Sequence, residues 1–405
     1  MRLHRRHLLT LAGSLIGLGR DGWAFAADAP VRRRLVVVML RGAVDGLNVV
    51  VPYGDPAYHV MRPTIGLMAP GSDAGVLDLD GHFGLHPALA PLLPLWRERR
   101  LAFVHACGSP DPTRSHFEAQ DFMESGTPGV RTTPDGWMNR LITVLPAPHG
   151  PTRALSLGAT RPRILAGAAP AMNFPLGPEA GKPLPLDRPR VAAAFAALYS
   201  GNDAMDIAFR EGRAARRELV ADLAKQTAAD NGAPPPAGFP ATAAGLGDLL
   251  VRDARIQLAF ADLGGWDTHV NQGGATGQLA GHLLPLGQGL AALADRLGSR
   301  LDDTVVLVMS EFGRTAHENG DKGTDHGHGN VLWVLGGRVA GGRVHGGWPG
   351  LAADALYQGR DLAVTSDFRS VIAATLERHL GLSDRQIAAV LPKPPSASLP
   401  SLFVG

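Results

Sequence analysis

The chain has 405 residues, of which 45% are hydrophobic and 19% are charged, and its formal net charge is +2. This much apolar sequence can bury a large core, which excludes a disordered or fibrous protein. Without the first 26 residues, 35 basic and 36 acidic residues remain, and such a neutral globule offers no electrostatic surface for nucleic acid. After residue 30, no stretch reaches the ~18 apolar residues that a membrane span requires.

The N-terminal residues have the pattern of an export signal. The pair Arg5-Arg6 precedes an apolar stretch, and Ala24-Phe25-Ala26 has the form of a signal-peptidase site. Paired arginines before a mildly apolar stretch favour a twin-arginine (Tat) signal over an ordinary Sec signal. The sequence therefore predicts a signal peptide over residues 1–26 and export through the Tat translocase to the periplasm or beyond. A single domain is predicted over residues 27–405.

Five short apolar runs are typical of strands that are buried on both faces of a sheet. In chain order they cover residues 34–40, 101–107, 256–263, 304–310 and 330–335. Helical spacing occurs between them, over residues 115–124, 191–229, 277–299 and 367–381. Because strands and helices alternate, the sequence predicts an α/β sandwich built on βαβ units.

Polar residues follow each of the first four strands, at the end where parallel α/β sheets bind their ligands. Asp45 follows the first strand and Ser115 the second. Asp267 and His269 follow the third strand, and Glu311 follows the fourth. The loop before the fifth strand adds three residues of the same kind, which are Asp325, His326 and His328. Carboxylates and imidazoles without a thiolate predict a divalent metal site for Zn, Mn, Mg or Ca.

Each of these residues also has a structural interpretation. Asp45 is suited to a turn, and Glu311 could form an ion pair with Arg314. Ser115 could be an N-cap, with a capping box completed by Glu118. Two imidazoles in a glycine-rich loop contribute little to packing, and this favours the metal interpretation for the His-Gly-His segment.

Ser115 also has the position expected of a nucleophile. A hydroxyl at a helix N-terminus lies at the positive end of the helix dipole, which helps an adjacent metal to favour the alkoxide. The same helix start can bind an anionic oxygen of a phosphate or sulfate, and Arg114 could hold a second oxygen. This arrangement predicts attack of Ser115 on phosphorus or sulfur, followed by hydrolysis of the covalent ester.

Several long motifs resemble the DUF1501 family of Tat-exported proteins. They are residues 35–48, 51–53, 114–121, 265–269, 309–315 and 324–329, together with the paired arginines of the leader. The match extends to about residue 382. The family is similar in fold to the alkaline phosphatase–sulfatase superfamily. This resemblance implies a three-layer α/β sandwich with a central, mostly parallel sheet, flanking helices and a metal site at the strand ends.

The resemblance also implies roles for individual residues. Ser115 matches the nucleophile, and the positions of metal ligands are matched by Asp45, Asp267, His269, Asp325, His326 and His328. Glu311 lies where the Asp-His pair of a second metal begins, but Phe312 follows it, so one imidazole of a two-metal site is missing. The segment Cys107-Gly-Ser-Pro lacks the C-x-P-S-R pattern from which sulfatases make formylglycine.

Two functions of different classes follow. The first is an exported, metal-dependent hydrolase of phosphate or sulfate esters, which would act on a small anionic ester or a glycan-derived substrate. The second is a non-catalytic exported binding or assembly protein that keeps the same fold. The seven candidate ligands favour the hydrolase, whereas Phe312 favours the binding protein.

Overall fold

The computed structural model describes residues 33–146, 151–158, 161–173, 189–201, 206, 236–395 and 399–404. The predicted signal peptide lies outside these residues, and so does most of the predicted helix over 191–229. Within the described ranges, no helix combines the length and apolar character that crossing a membrane requires.

The strands and helices of the described residues alternate along the chain. The strands are β1 (Arg34–Leu40), β2 (Val50–Val51), β3 (Leu77–Asp78), β4 (Gly84–Leu85), β5 (Leu101–Gly108), β6 (Ala154–Ser156), β7 (Met172–Asn173), β8 (Leu258–Leu263), β9 (Thr304–Ser310), β10 (Asn330–Gly336), β11 (Arg343–His345) and β12 (Ser366–Asp367). The α-helices are α1 (Gly46–Val49), α2 (Pro56–Met61), α3 (Leu93–Arg97), α4 (His116–Ser125), α5 (Trp137–Val144), α6 (Pro189–Leu198), α7 (Phe239–Arg252), α8 (Gln278–Leu297), α9 (Phe368–Ala374) and α10 (Asp384–Val390). Short 3-10 helices cover Pro87–Leu92, Pro151–Arg153, Arg163–Leu165, Pro236–Gly238, Gly298–Asp303 and Pro400–Leu402, and a π-helical turn covers Thr375–His379.

One large sheet contains nine of the described strands, in the order β11-β5-β10-β9-β1-β8-β6-β7, with β12 also paired to β5. The reversed strand is β10, which is antiparallel to both β5 and β9. The other pairs of described strands in this sheet are parallel. The remaining strands form a small sheet in the order β2-β4-β3.

The five strands predicted from the sequence form the middle of this sheet, as β1, β5, β8, β9 and β10. The bounds of β1 and β9 are those predicted, and the other three differ by one or two residues at one end. Every residue of β1 and β9 is buried, which explains why their sequences are continuous apolar runs rather than alternating ones.

Helices cover both faces of the large sheet. The even-numbered residues from Val36 to Leu40 contact the apolar cluster that contains residues of α7 and α8. The odd-numbered residues from Leu35 to Met39 contact the cluster on the opposite face, with residues of α5, α9 and α10. Side chains alternate across a strand in this way, and each valine or leucine that is buried contributes about 1.5–3 kcal/mol. The predicted three-layer α/β sandwich with a mostly parallel central sheet is therefore confirmed.

The direction of β10 places its preceding loop at the edge where β1, β5, β8 and β9 end. The close approach of this loop to the turn after β9 depends on glycine. A Cβ at Gly313 would lie 1.8 Å from the carbonyl oxygen of Gly329, so only glycine fits there. The amide of Gly313 donates to the carbonyl of His328, and the amide of Gly327 donates to that of Gly313. Two glycine-rich segments are thereby held together at one edge of the sheet.

Candidate metal centre

Three imidazoles and one carboxylate meet at this edge. Nε2 of His326 lies 3.0 Å from Nε2 of His116 and 3.0 Å from Nε2 of His269. Oδ1 of Asp267 lies 3.0 Å from Nε2 of His269 and 3.3 Å from Nε2 of His326. Oδ2 of the same carboxylate lies 3.5 Å from Nε2 of His116. These four residues define the histidine cluster.

The cluster is assembled from three separate parts of the chain. His116 is the first residue of α4, the helix that follows β5. Asp267 and His269 follow β8, and His326 lies in the loop before β10. The backbone of this loop is joined to the turn after β9 by an isolated bridge between Arg314 and His326. All four side chains therefore depend on strands β5, β8 and β10 of one sheet, which place them at the same edge.

Each imidazole of the cluster is oriented through its other ring nitrogen. The acceptors for Nδ1 are Oε1 of Glu311 for His116 (2.9 Å), Oδ1 of Asp325 for His269 (3.2 Å) and the carbonyl oxygen of Arg114 for His326 (2.9 Å). Carboxylate and carbonyl oxygens only accept hydrogen bonds, so Nδ1 carries the proton in each ring. When a ring is neutral, the lone pair of its Nε2 is directed into the cluster, which is the arrangement of metal-binding histidines.

The separations of the donor atoms fit a divalent cation. Ligands ~2.1 Å from a tetrahedral zinc ion stand roughly 3.4 Å apart. The donor atoms of His116, Asp267 and His326 all lie within 4.8 Å of one another. Imidazole and carboxylate donors without a thiolate suit zinc and the harder divalent metals. The described residues thus contain a His/Asp site that fits a metal, and its donors do not specify which one.

The charges of the cluster favour a positive charge at its centre. Burial alone would lower the pKa of His116, but the hydrogen bonds and charges of Asp267 and Glu311 raise it to about 9. The hydrogen bond to Asp267 also raises the pKa of His269. Burial would raise the pKa of Asp267, but hydrogen bonds from the three imidazoles hold it far below its usual range.

A buried guanidinium connects the segments that carry the cluster. Arg314, whose side chain is fully buried, donates to Oδ1 of Asp267 at 2.5 Å. It also donates to the carbonyl oxygens of Gly42 (2.5 Å), Trp266 (3.1 Å) and Thr324 (3.1 Å). The carboxylate partner of Arg314 is therefore Asp267 rather than Glu311. Through this one side chain, the ends of β1 and β8 are tied to the loop before β10.

The structure brings together five of the seven metal ligands predicted from the sequence. Asp267, His269 and His326 have donor atoms in mutual contact. Glu311 and Asp325 bind the Nδ1 atoms of the imidazoles and so lie one hydrogen bond outside the centre. Oε1 of Glu311 additionally accepts from the amide of Gly42 and from Nε2 of Gln120, a buried side chain of α4.

Asp45 is bound to other groups. Its Oδ2 accepts from Nη1 of Arg62 at 2.5 Å and from Nε2 of Gln272 at 2.7 Å. All three side chains are buried, so Asp45 neutralises a guanidinium that would otherwise be a buried unpaired charge. Oδ1 of Asp45 has no hydrogen-bond partner among the described residues.

His328 lies two residues from His326 but its ring is held elsewhere. Nε2 of His328 donates to the carbonyl oxygen of Ser109 at 3.0 Å, and the ring centroid lies 4.5 Å from that of Tyr357. Burial lowers the pKa of His328, which favours the neutral ring, although the hydrogen bond to Ser109 acts in the opposite direction. The two imidazoles of the His-Gly-His segment are therefore bound to different neighbours.

Ser115 and Arg114 precede the cluster residue His116 in the chain. Ser115 occupies the N-cap position of α4, but its hydroxyl makes no capping hydrogen bond. Glu118 accepts instead from Oγ1 of Thr113 at 2.8 Å, so the alternative of a capping box is wrong. Arg114 donates through Nη2 and Nε to Oδ2 of Asp361, at 2.5 and 3.1 Å.

Three contributors to this region were not predicted from the sequence. The signal for His116 was present, because it follows Ser115 directly at a helix start that the strand-end argument had already selected. Arg62 and Gln272 carried no such signal. They lie 17 and 227 residues from Asp45 in the sequence, and a local sequence pattern cannot predict contacts over such separations.

Comparisons with known proteins identify a family and distant structural neighbours. Residues 32–391 match the family described as "Protein of unknown function (DUF1501)". No curated protein matches the chain.

The solved structures that match are similar at low sequence identity. The C-terminal periplasmic domain of EcEptC from Escherichia coli, in complex with Zn, has 10% identity and a TM-score of 0.37, over 76% of this chain and 73% of that one. Ps i-CgsB in complex with k-i-k-neocarrahexaose has 12% identity and a TM-score of 0.38, over 88% and 74%. The lipoteichoic acid synthase LtaP from Listeria monocytogenes has 9% identity and a TM-score of 0.40, over 87% and 72%. At this level of similarity, no residue role transfers from these proteins.

Proposed function

The chain belongs to the DUF1501 family, and we propose that it is an exported, metal-dependent hydrolase of phosphate or sulfate esters. The observation that carries the proposal is the orientation of the three imidazoles of the cluster. Nε2 of His326 lies 3.0 Å from Nε2 of His116 and from Nε2 of His269, next to the carboxylate of Asp267, while acceptors occupy each Nδ1. The lone pairs of neutral rings placed in this way would repel one another unless a proton or a metal ion lies among them, so this geometry suits a bound cation.

His116, Asp267 and His326 would hold the ion, with His269 beside them. When bound, a divalent ion would supply positive charge that stabilises the oxygen atoms of an ester as negative charge develops on them. Glu311 would keep the ring of His116 in the required tautomer through the hydrogen bond to Nδ1.

Ser115 is the proposed nucleophile. Its side chain is exposed, its hydroxyl is not used as a helix cap, and it adjoins the cluster residue His116. The N-terminal amides of α4 would bind an oxygen of the phosphate or sulfate group. Arg114, oriented by Asp361 through Nε and Nη2, would bind a second oxygen.

In the proposed reaction, a bond forms between Oγ of Ser115 and phosphorus or sulfur while the bond to the leaving oxygen breaks, and the alcohol departs. Water then cleaves the new bond to Oγ, which releases phosphate or sulfate and restores the serine hydroxyl. The partly exposed cluster is compatible with a small anionic ester or a glycan-derived ester as substrate.

One observation favours a second function, that of a non-catalytic exported binding or assembly protein. Nε2 of His269 lies 3.0 Å from both Asp267 and His326, beside the group of three donors, and would supply a fourth ligand if the ring turned toward the ion. Structural zinc sites are closed by four protein ligands, whereas catalytic sites keep one position open. The number of protein ligands therefore distinguishes the two functions.

The test begins with the metal content of the purified protein, measured by inductively coupled plasma mass spectrometry after incubation with Zn, Mn or Ca. We expect about one equivalent of metal per chain. A panel of aryl phosphates and sulfates then reports turnover, and Ser115→Ala should lower turnover roughly 1000-fold while it keeps the metal. A folded wild-type protein without metal would overturn the proposal. A tightly held metal without turnover, lost in His269→Ala, would support the binding protein instead.

A further inference from the structure

We propose that Gln272 is a positioning residue for the metal centre, because its one side-chain amide joins the two loops that carry most of the cluster. The inference rests on the metal-binding function proposed above. It assigns to Gln272 no contact with metal or substrate.

The contacts of the amide oxygen connect the two loops. Oε1 of Gln272 accepts from Oγ1 of Thr268 at 2.8 Å and from Oγ1 of Thr324 at 2.8 Å. Thr268 lies between Asp267 and His269 in the chain, so its backbone is shared with both. The amide of Thr324 donates in turn to the carbonyl of Thr268 at 3.1 Å. A displacement of either threonine would therefore move a segment that ends in cluster residues.

Thr324 is likewise next to residues of the site, in the loop before β10. It directly precedes Asp325 and His326, of which the first orients His269 and the second contributes Nε2 to the cluster. Gln272, Thr268 and Thr324 are fully buried. Each hydroxyl is therefore shielded from water, which could otherwise replace the amide oxygen as its acceptor.

Asp45 fixes the orientation of the Gln272 side-chain amide. Nε2 of Gln272 donates to Oδ2 of Asp45 at 2.7 Å, and a carboxylate can only accept. The NH2 group must consequently face Asp45, which leaves Oε1 for the two hydroxyls. Arg62 holds the same carboxylate oxygen at 2.5 Å and donates to the carbonyls of Thr315 and Ala316. These contacts give Asp45, one of the predicted ligands, a role in orienting Gln272.

The backbone on either side of Gln272 holds its side chain between the two loops. Asn271 and Gly273, its neighbours on either side, have φ of 48° and 81°, in the left-handed region. A Cβ at Gly273 would lie 2.1 Å from the carbonyl oxygen of Thr276, so no other residue fits. The amides of Asn271 and Gln272 donate to the carbonyls of Asp321 and Lys322, each at 2.9 Å. Strained conformations of this kind persist where surrounding contacts hold them, and they concentrate at functional sites.

The experiment removes the hydroxyls of Thr268 and Thr324, because these substitutions change the least structure while they break the contacts with Gln272. Thr268→Val and Thr324→Val each replace a hydroxyl by a methyl group of similar size. We expect each to weaken zinc binding about 10-fold, in competition with a chromophoric chelator, since loss of such supporting contacts commonly costs 10–100-fold. The visible absorption spectrum of the Co2+-loaded protein should also change, because it reports the geometry of the ligands. Thr324→Ser, which keeps the hydroxyl, should restore both readouts.

Thr375→Val is the matched control. Thr375 is also fully buried, and its Oγ1 donates to the carbonyl of Val371 in the helical layer rather than near the cluster. It should lower the unfolding midpoint without changing zinc affinity or the Co2+ spectrum. In a Gln272→Leu background, the two threonine changes should have no further effect on affinity. If Gln272→Leu does not fold, the threonine variants and Thr324→Ser decide the question alone.

The failures of the two proposals differ. If Thr268→Val and Thr324→Val bind zinc as tightly as the wild type and give the same Co2+ spectrum, Gln272 has no positioning role. The proposed metal site would still stand. Folded wild-type protein that binds neither Zn nor Co would overturn both proposals together.

Discussion

The histidines of the cluster and those of the core are held by opposite nitrogens of the ring. In the cluster, Nδ1 donates to an oxygen and Nε2 faces the neighbouring rings. In the core, Nε2 of His86, His105 and His379 donates to backbone carbonyl oxygens at 3.0, 2.9 and 2.8 Å. Desolvation then lowers the pKa of these three histidines to about 4.

The difference shows how one residue type serves two purposes in the same fold. A core histidine satisfies a backbone carbonyl and stays neutral because burial penalises its charged form. A cluster histidine lies beside carboxylates that favour positive charge, and its Nε2 faces the centre, where a proton or a metal cation can bind. By this criterion His328 belongs with the core histidines, since its Nε2 donates to the carbonyl of Ser109.

The largest expected effect tests this comparison within a single loop. His326→Ala should weaken zinc binding by about 100-fold or more, because it removes the imidazole whose Nε2 contacts both other rings. His328→Ala should leave the zinc affinity within about threefold of the wild-type value, and should lower stability through its lost packing on Tyr357. Isothermal titration and chelator competition measure the affinities.

Equal loss of zinc from the two variants would break the comparison. It would mean that the ring nitrogen bound to Ser109 does not mark His328 as structural, and that the loop rearranges when metal binds.

A smaller effect isolates the charge that supports His116. Glu311→Gln keeps an oxygen for Nδ1 of His116, while the new NH2 group can donate to Oγ of Ser310, which itself donates to the carbonyl of Leu40. We expect zinc affinity to fall about 10-fold, because the imidazole becomes less basic without the carboxylate.

Glu318→Gln is the control for Glu311→Gln, since Glu318 accepts from the backbone amides of Thr64 and Ile65 outside the cluster. Its zinc affinity should equal that of the wild type. If Glu311→Gln also binds zinc with wild-type affinity, the charge of Glu311 has no part in the site.

The smallest effect concerns the core histidines and pH. His105 has a pKa near 4 in the folded protein, against about 6.5 in the unfolded chain. The neutral ring therefore stabilises the fold fully above pH 6.5, and this contribution is lost as pH falls toward 4. His105→Gln, whose amide can still donate to the carbonyl of Val50, should show a shallower fall of the unfolding free energy. Urea unfolding between pH 4.5 and 7 measures both slopes, and parallel slopes would contradict the assignment.

The strands could be predicted from sequence because burial on both faces leaves a local mark. Runs such as residues 34–40 and 304–310 are continuously apolar and largely β-branched, and they form β1 and β9 with the predicted bounds. Because four of these strands end at one edge of the sheet, the residues that directly follow them are expected to lie close together. This correctly predicted the proximity of Asp267, His269 and Glu311.

The direction of each side chain could not be predicted in the same way. Asp45 follows β1 at the correct edge, but its carboxylate binds Arg62, which comes from a later helix terminus. His326 and His328 are both histidines of one glycine-rich loop, and the local sequence does not distinguish them. Their partners, Arg114 and Ser109, lie 212 and 219 residues away. A strand end fixes where the backbone is, whereas long-range partners decide where a side chain is held.

The reversed strand β10 has a consequence for the order in which the molecule is made. Residues 330–336 lie between β5 and β9, so these two neighbours cannot be joined until that part of the chain has left the ribosome. Until then both strands present an unpaired edge, a state that favours aggregation during synthesis. The loop before β10 emerges just ahead of the strand, so neither the sheet nor the histidine cluster can be complete until this part of the chain has been made. A nascent chain that stops short of residue 326 would have neither.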